Sequence, residues 1–221
     1  MEPKAIAERA AKLGFPAVGL TDRNGLYAVM AFTEACIGKG VQPIIGTMLS
    51  VARPPELGAG VDWLVLLAKD EQGYSDLCHL VSSAHLDRPV ELDPHVPFSA
   101  LEKSSDGLVA LTAGGEGALV RLLNDGQKRK AESYLARLQA LFADRLYIEI
   151  VRRGDAVEDA TEDALIALAF EQDVPIVATN PAAYSDPSFH AAHDAMLCIA
   201  GSAYIESNDR ATSSPEAWLK D

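Results

Sequence analysis

Side chains that could do chemistry follow several of the apolar runs along the chain. In a parallel βα architecture, the residues just after the strands gather at one edge of the sheet, and helix N-termini point toward it. Only Asp22 and Asp70 qualify there as candidate metal ligands, and His190 and His193 lie in the first turns of the last predicted helix. Metal-assisted hydrolysis needs several His and carboxylate groups that converge, so this set is thin. The i, i+3 spacing places both histidines on one helix face, where we expect capping or packing roles.

A glycine-rich segment, Thr112–Gly117, is a second candidate site. Such a strand-to-helix turn can cradle a phosphate on its backbone N–H groups. The segment lacks the Gly-Lys-Ser/Thr ending of a P-loop, and Glu116 would repel an anion. We therefore predict a tight turn. The basic string Lys128–Lys130 is typical of a solvated helix face.

The elements that must position these residues alternate between short apolar runs and amphipathic stretches, which predicts a βα repeat. We expect a buried parallel strand at each of 16–21, 43–52, 63–68, 108–112, 146–151 and 175–179. Helices are predicted at 3–13, 26–37, 70–84, 117–124, 128–142, 157–172 and 188–200, with a connector at 86–97 and a loop at 201–214. The carboxyl ends of the strands then bring to one rim Asp22, Arg23, Met48, Asp70, Thr112, Arg152, Arg153 and Asn180.

Composition narrows the classes of function. The chain has 221 residues, enough for one sizeable domain, and a net charge of -13, which repels a phosphate backbone, so we expect no direct binding of nucleic acid. The sequence contains no apolar stretch long enough to predict a membrane span, and its first residues do not resemble an export signal. We therefore expect a cytoplasmic location. The three cysteines, Cys36, Cys78 and Cys198, are predicted to be free thiols.

Several ordered motifs resemble one family, the PHP (polymerase and histidinol phosphatase) domain of bacterial DNA polymerase III alpha subunits. The first motif ends in Thr21-Asp22, and the others follow in the family's order and spacing. The resemblance runs through Leu13–Asp22, Lys39–Gly46, Leu66–Ser82, Asp106–Thr112 and Val174–Asn180, and continues to Ile199. It implies a distorted (β/α)7 PHP-type barrel. Residues 1–221 would form a partial PHP domain that lacks the first strand, with a loop and helix at 201–221 leading on toward the rest of the polymerase.

Departures from the family pattern concern its metal ligands. Metal-binding members open with a His-x-His strand, and this chain begins after that point. Where such members carry His or acidic ligands this chain has Arg23, Met48, Trp63, Pro181 and Ala183, and only Asp22 and His193 match. A guanidinium cannot deprotonate, so Arg23 would place a permanent positive charge where a cation would sit. We expect no metal or other cofactor and no catalytic residue in this chain.

The resemblance implies a non-catalytic scaffold of a replicative polymerase, which docks a proofreading exonuclease subunit and packs on the remaining polymerase domains. One alternative is a metal-dependent PHP phosphoesterase or 3'-5' exonuclease. Another is the PHP domain of the error-prone alpha-subunit paralogue. We further expect Arg23 to pair with a carboxylate of another loop, such as Asp70. Because a missing strand would leave two unpaired sheet edges, self-association is a further hypothesis.

Overall fold

The computed structural model describes residues 1–220, which form a mixed sheet with helices packed on it. The strands are β1 (Ala17–Arg23), β2 (Gln42–Ala52), β3 (Val61–Ala68), β4 (Val96–Pro97), β5 (Leu108–Leu111), β6 (Leu146–Val151) and β7 (Ile176–Thr179). The helices are α1 (Pro3–Lys12), α2 (Val29–Gly38), α3 (Glu71–Leu86), α4 (Phe98–Leu101), α5 (Ala118–Asn124), α6 (Lys128–Phe142), α7 (Ala156–Glu171) and α8 (His190–Ala200). Among these residues no helix is both long and apolar enough to cross a membrane.

The sheet has the strand order β1-β2-β3-β5-β6-β7, with the short β4 paired to β2. β1 and β7 are its end strands, so the sheet is an open, curled half barrel. This confirms the predicted fold class. The pairs β1–β2, β5–β6 and β6–β7 are parallel. β5 points the same way as β2, since each is antiparallel to β3. The carboxyl ends of β1, β2, β5, β6 and β7 therefore share one edge, called here the rim.

The prediction that all strands are parallel is wrong for β3, which runs antiparallel to both of its neighbours. A parallel connection needs a crossover of a dozen or more residues, and the chain between β2 and β3 is a short hairpin link. The backbone N–H of Arg53 donates to the carbonyl of Gly60 at 2.8 Å and closes that link. The reversal moves the amino end of β3, with Trp63, to the rim, and Lys69 and Asp70 toward the opposite edge.

The core lies in two layers, one on each face of the sheet, as the alternation of buried side chains along the strands dictates. A separate cluster packs α1 and α2 against β1. The larger layer, between the sheet and α3, α5, α6 and α7, includes Leu66, Leu108, Ile148 and Phe142. The inner, concave face of the sheet carries a smaller cluster of Val65, Leu111 and Ala113, with Met48, Trp63, Leu67, Val109, Tyr147 and Val177 packed against it. The inner cluster is the floor beneath the rim.

The C-terminal segment forms turns and extended chain. The helix expected within 201–221 is absent from residues 201–220. Its backbone is committed elsewhere, because the N–H groups of Ala183 and Tyr184 donate to the carbonyl of Ala217, and Leu219 N–H donates to the carbonyl of Tyr184. The tail therefore lies along the residues that follow β7 as an added strand-like segment, with Trp218 bridged to Tyr184.

Candidate functional site

Arg23 is the last residue of β1 and occupies the rim next to β2, where Met48 is its partner in register. Its guanidinium lies 4.7 Å from the centroid of the Trp63 ring and donates to Glu116 Oε1 at 2.8 Å. Trp63 reaches this position only because β3 is reversed. A cation over an indole face is held electrostatically, and Arg is well suited to this contact.

Glu116 ends the glycine-rich turn that follows β5, and the prediction of a tight turn is confirmed. Gly114–Glu116 form one 3-10 turn, which Ala113 enters with a left-handed φ of 61°. At Gly117 a Cβ atom would lie 1.8 Å from the carbonyl oxygen of Thr112, so only glycine fits. The turn directs the Glu116 carboxylate toward Arg23.

Arg153 continues the pattern of alternating charges after β6. Its Nη2 atom lies 4.0 Å from Glu116 Oε1 and donates to Glu158 Oε1 at 2.9 Å. Glu158 is buried near the start of α7, where Asp155 caps the helix and the N–H of Gly115 also donates to Glu158 at 3.3 Å. We call Arg23, Glu116, Arg153 and Glu158 the rim ion-pair chain. Its two guanidinium groups balance its two carboxylates.

Glu149 on β6 is a further buried carboxyl group near this chain. Its Oε1 atom accepts a hydrogen bond from the Thr179 hydroxyl, and its Oε2 atom has no partner among the described residues. Burial raises the pKa of Glu149, although the Thr179 hydrogen bond acts in the opposite direction. Sequence reasoning missed Glu149 and Glu158. The Asp155-x-x-Glu158 pattern marks the start of a helix, but it predicts a capping role for Glu158, whereas the side chain binds Arg153.

The sequence-predicted site residues divide into two groups. Arg23, Met48 and Trp63 lie together on β1, β2 and β3, with Met48 and Trp63 packed on the inner cluster. The Asp22 carboxylate turns away to accept the N–H of Ala28 at 3.2 Å and holds the chain entering α2. This contact agrees with α2 beginning later than expected, at Val29.

The second group follows β7 and contacts the C-terminal tail. Asn180 Nδ2 donates to the carbonyl of Trp218 at 2.8 Å, and His193 Nδ1 lies 2.7 Å from Ser213 Oγ. Pro181 is exposed, and Ala183 carries no ligating side chain. The strand directions place Asn180 at the same edge as Asp22, as predicted. His193 is committed to the tail, which agrees with the expected packing role.

Asp70, the expected partner of Arg23, does not lie at the rim. It follows β3 at the opposite edge and caps α3, where its carboxylate accepts the Gly73 N–H at 2.9 Å. The expectation that Arg23 pairs with a carboxylate of another loop is confirmed, but the named partner was wrong. The physical reason is the antiparallel course of β3, which exchanges Asp70 for Trp63 at this edge.

The rim does not fit a catalytic metal ion. Within residues 1–220 no three His, Cys, Asp or Glu side chains come close enough together to hold one. The rim carboxylates Glu116 and Glu158 already bind guanidinium groups. A divalent ion there would have to displace Arg23 or Arg153 and would meet their charge.

Comparison with known proteins agrees with this architecture. The PHP domain family model matches residues 1–153. DNA polymerase III subunit alpha of Caulobacter vibrioides is 37% identical over 219 residues, 97% of this chain and 19% of that protein. The same subunit is 34% identical in Rickettsia bellii and 31% in Vibrio cholerae, over 97% of this chain and 18% and 19% of those proteins.

The chain thus spans about a fifth of the length of the curated relatives it matches. A crystal structure described as a putative metal-dependent phosphoesterase from Bifidobacterium adolescentis has a TM-score of 0.48 and 17% identity, covering 80% of this chain and 81% of that one. That similarity is too distant to bear on activity. The match over residues 1–153 shows that this chain belongs to the PHP domain family, and its curated relatives include DNA polymerase III alpha subunits.

Proposed function

We propose that the chain is a non-catalytic PHP domain of a replicative DNA polymerase III alpha subunit, acting in the cytoplasm. In this role it docks the proofreading exonuclease subunit and packs on the remaining domains of its own polypeptide. The relatives at 31% to 37% identity support the assignment to a polymerase subunit. The rim supports the absence of catalysis.

The observation that carries the proposal is the position of Arg23. Its guanidinium occupies the rim between the Trp63 ring and Glu116, at the position where metal-binding members of the resembled family have a histidine. Arginine stays protonated at every pH at which proteins fold, so it cannot become a ligand. Without a bound divalent ion nothing at this rim lowers the pKa of a water molecule to the range needed for hydrolysis.

Charge balance supports the same proposal. When a metal ion is absent from a group of carboxylates that would bind it, those carboxylates still need positive charge nearby. A buried carboxylate without such compensation is destabilising. In the rim ion-pair chain, Arg23 and Arg153 supply that charge from within the protein. The rim is therefore a stable structural feature that needs no cation.

The docking role draws on the resemblance, in which PHP domains with degenerate metal sites belong to polymerases that proofread with a separate exonuclease. The net charge of -13 favours a protein partner over direct contact with nucleic acid. Scaffold function also agrees with a rim whose charged groups are already paired.

A binding and activity experiment tests the proposal. The purified chain is mixed with its cognate exonuclease subunit and analysed by size-exclusion chromatography, and it is assayed alone for phosphoester hydrolysis with Mn²⁺ and with Zn²⁺. We expect co-elution of the two proteins and no metal-stimulated hydrolysis. Separate elution would contradict the docking role. Hydrolysis that disappears in Asp22→Asn would contradict the scaffold role and favour the phosphoesterase alternative.

A further inference from the structure

α8 and the loop after it form an exposed apolar surface that lies outside the rim ion-pair chain. We propose that this surface binds a basic polypeptide segment that carries apolar side chains at helical spacing, contributed by the docking partner. The inference rests on the proposed docking role and adds to it a location and the chemistry of the partner. We call Phe189, Met196, Ile199, Tyr204 and Ile205 the α8 patch.

The face of α8 that contacts the tail carries polar residues that a surface helix would normally expose. Its polar residues His190, His193 and Asp194 share one face by their i, i+3 and i+4 spacing and contact the tail. His190 Nε2 lies 3.0 Å from the carbonyl oxygen of Ser213, and Asp194 accepts two hydrogen bonds from Arg210, at 2.9 and 2.7 Å. Only Cys198 of this helix is buried.

Two large apolar residues of α8 face outward, on the side away from the tail. Met196 and Ile199 lie on the exposed side, and Phe189, Tyr204 and Ile205 extend the apolar surface from both ends of the helix. A surface helix normally buries its apolar stripe against the core. A cluster of exposed large apolar side chains on one element marks an interaction surface.

The charge of the surrounding sequence identifies the chemistry of the partner. From Tyr184 through Asp209, the stretch that contains α8 and the loops on both sides of it, the chain has four Asp and Glu residues and no Lys or Arg. Arg210, which follows, is already paired with Asp194. A complementary partner is therefore basic around an apolar centre. A second copy of this chain, an anionic membrane or a nucleic acid would bring like charge to this surface.

Helix α2 shows that exposed apolar residues alone do not indicate a docking surface. Met30 and Ile37 of α2 are also exposed, but that helix buries Val29, Phe32 and Cys36 in a core cluster. Met30 and Ile37 therefore lie on the outer side of a helix whose opposite side is packed in the core. The α2 face therefore provides a matched control.

The test uses a labelled amphipathic peptide with leucine at i, i+3, i+4 and i+7 and lysine elsewhere, titrated with the 221-residue chain and followed by fluorescence anisotropy. We expect saturable binding, and no binding of the same peptide with glutamate in place of lysine. The double variant Met196→Asp/Ile199→Asp should weaken binding at least about tenfold. The control Met30→Asp/Ile37→Asp should leave it unchanged. The exposures match, at 63% and 80% in the patch and 80% and 67% in α2, so neither variant threatens the core.

Equal loss in the two double variants, or no saturable binding, would overturn the inference. So would a dimer in sedimentation velocity that Met196→Asp/Ile199→Asp converts to monomer, because the occupant would then be a second copy. The exonuclease subunit separates the two proposals. Co-elution that survives Met196→Asp/Ile199→Asp places docking elsewhere and overturns this inference alone. If the peptide binds but the exonuclease subunit does not, the proposed docking function is wrong, whereas the α8 patch remains a binding surface for a basic segment.

Discussion

At the scale of single residues, Arg23 shows how one substitution changes the character of a site. Its side chain is 53% exposed, so the ion pair with Glu116 is worth less than a buried pair. The stacking on Trp63 adds a contribution of similar size. The function of Arg23 at the rim is therefore mainly electrostatic, because it supplies positive charge, and its effect on stability is modest.

We predict that Arg23→Ala lowers the free energy of unfolding by about 1 kcal/mol. A double-mutant cycle of Arg23→Ala and Glu116→Ala in urea denaturation measures the coupling of the pair. Lys69→Ala is the control, since the Lys69 side chain has nearly the same exposure and its Nζ atom lies 3.7 Å from Asp70 Oδ2. A coupling energy of zero for Arg23 and Glu116 would show that Arg23 is an ordinary surface residue.

The residues of the site were only partly predictable. Patterns of apolar residues placed Asp22, Arg23 and Asn180 at strand ends, and the structure agrees. The partner of Arg23 was not predictable, because it depends on the direction of β3 and on a turn that points the Glu116 side chain across the rim. Such side-chain directions arise from tertiary packing, which the periodicity of the sequence does not reveal.

At the scale of elements, the β2–β3 hairpin reorganises the rim, and a buried ion pair holds it closed. Asp62 is fully buried on β3, and the Arg53 guanidinium binds both of its carboxylate oxygens. Arg121 also reaches Asp62 at 3.3 Å, with a side chain that is 46% exposed. The pair thus fixes the two strands that carry Met48 and Trp63.

We predict that Arg53→Ala destabilises the protein by about 3 to 5 kcal/mol, because it leaves the Asp62 carboxylate buried without its main partner. Arg121→Ala should cost about 1 kcal/mol or less. Thermal unfolding followed by circular dichroism compares the two. The double variant Arg53→Met/Asp62→Leu should recover much of the loss, since it removes both charges. Equal effects of Arg53→Ala and Arg121→Ala would contradict this account.

The anchor of α8 gives a prediction for acid pH. The hydrogen bonds from Arg210 and from the Ser213 backbone lower the pKa of Asp194 to about 2. Between about pH 4, near the ordinary aspartate pKa, and pH 2, the unfolded chain binds a proton that the folded chain does not. The stability supplied by this anchor is therefore present above pH 4 and is lost as the pH falls toward 2.

We predict that Asp194→Asn lowers the melting temperature at pH 7 and flattens its decline between pH 4 and 2. The control Asp163→Asn changes an exposed carboxylate on α7 and should leave the decline intact. Melting curves measured across this range test the prediction. An unchanged acid decline in Asp194→Asn would show that the Asp194–Arg210 pair does not anchor the helix.

Elements were predicted more reliably than their directions. Six apolar runs became strands and seven amphipathic segments became helices, because burial on one face imposes a period that the residues display. The direction of β3 depends on a link too short for a crossover, a feature that the assumption of a uniform βα repeat overlooked. A helix was predicted in the tail after Ala200. The tail instead pairs with Tyr184 through Trp218, and residues 201–220 contain no helix.

At the scale of the whole molecule, the chain combines a rim that balances its own charge with a strongly acidic C-terminal third. Both features support the proposed docking function. A rim closed by ion pairs has no place for a catalytic ion, and an acidic surface with outward apolar residues is suited to protein docking. The fold was predictable from ordered motifs that span the chain. The docking face depends on which side of α8 contacts the tail, and periodicity alone places the apolar side inward.

We propose that positive charge from Arg23 and Arg153 replaces a metal at the rim. Electron paramagnetic resonance of the purified chain titrated with Mn²⁺ tests it most directly. We predict that no stoichiometric Mn²⁺ binds, and that the spectra of the wild type and of Asp22→Asn are the same. One tightly bound Mn²⁺ per chain that is lost in Asp22→Asn or in His193→Ala would show that the rim keeps a metal site and that the two guanidinium groups do not replace it.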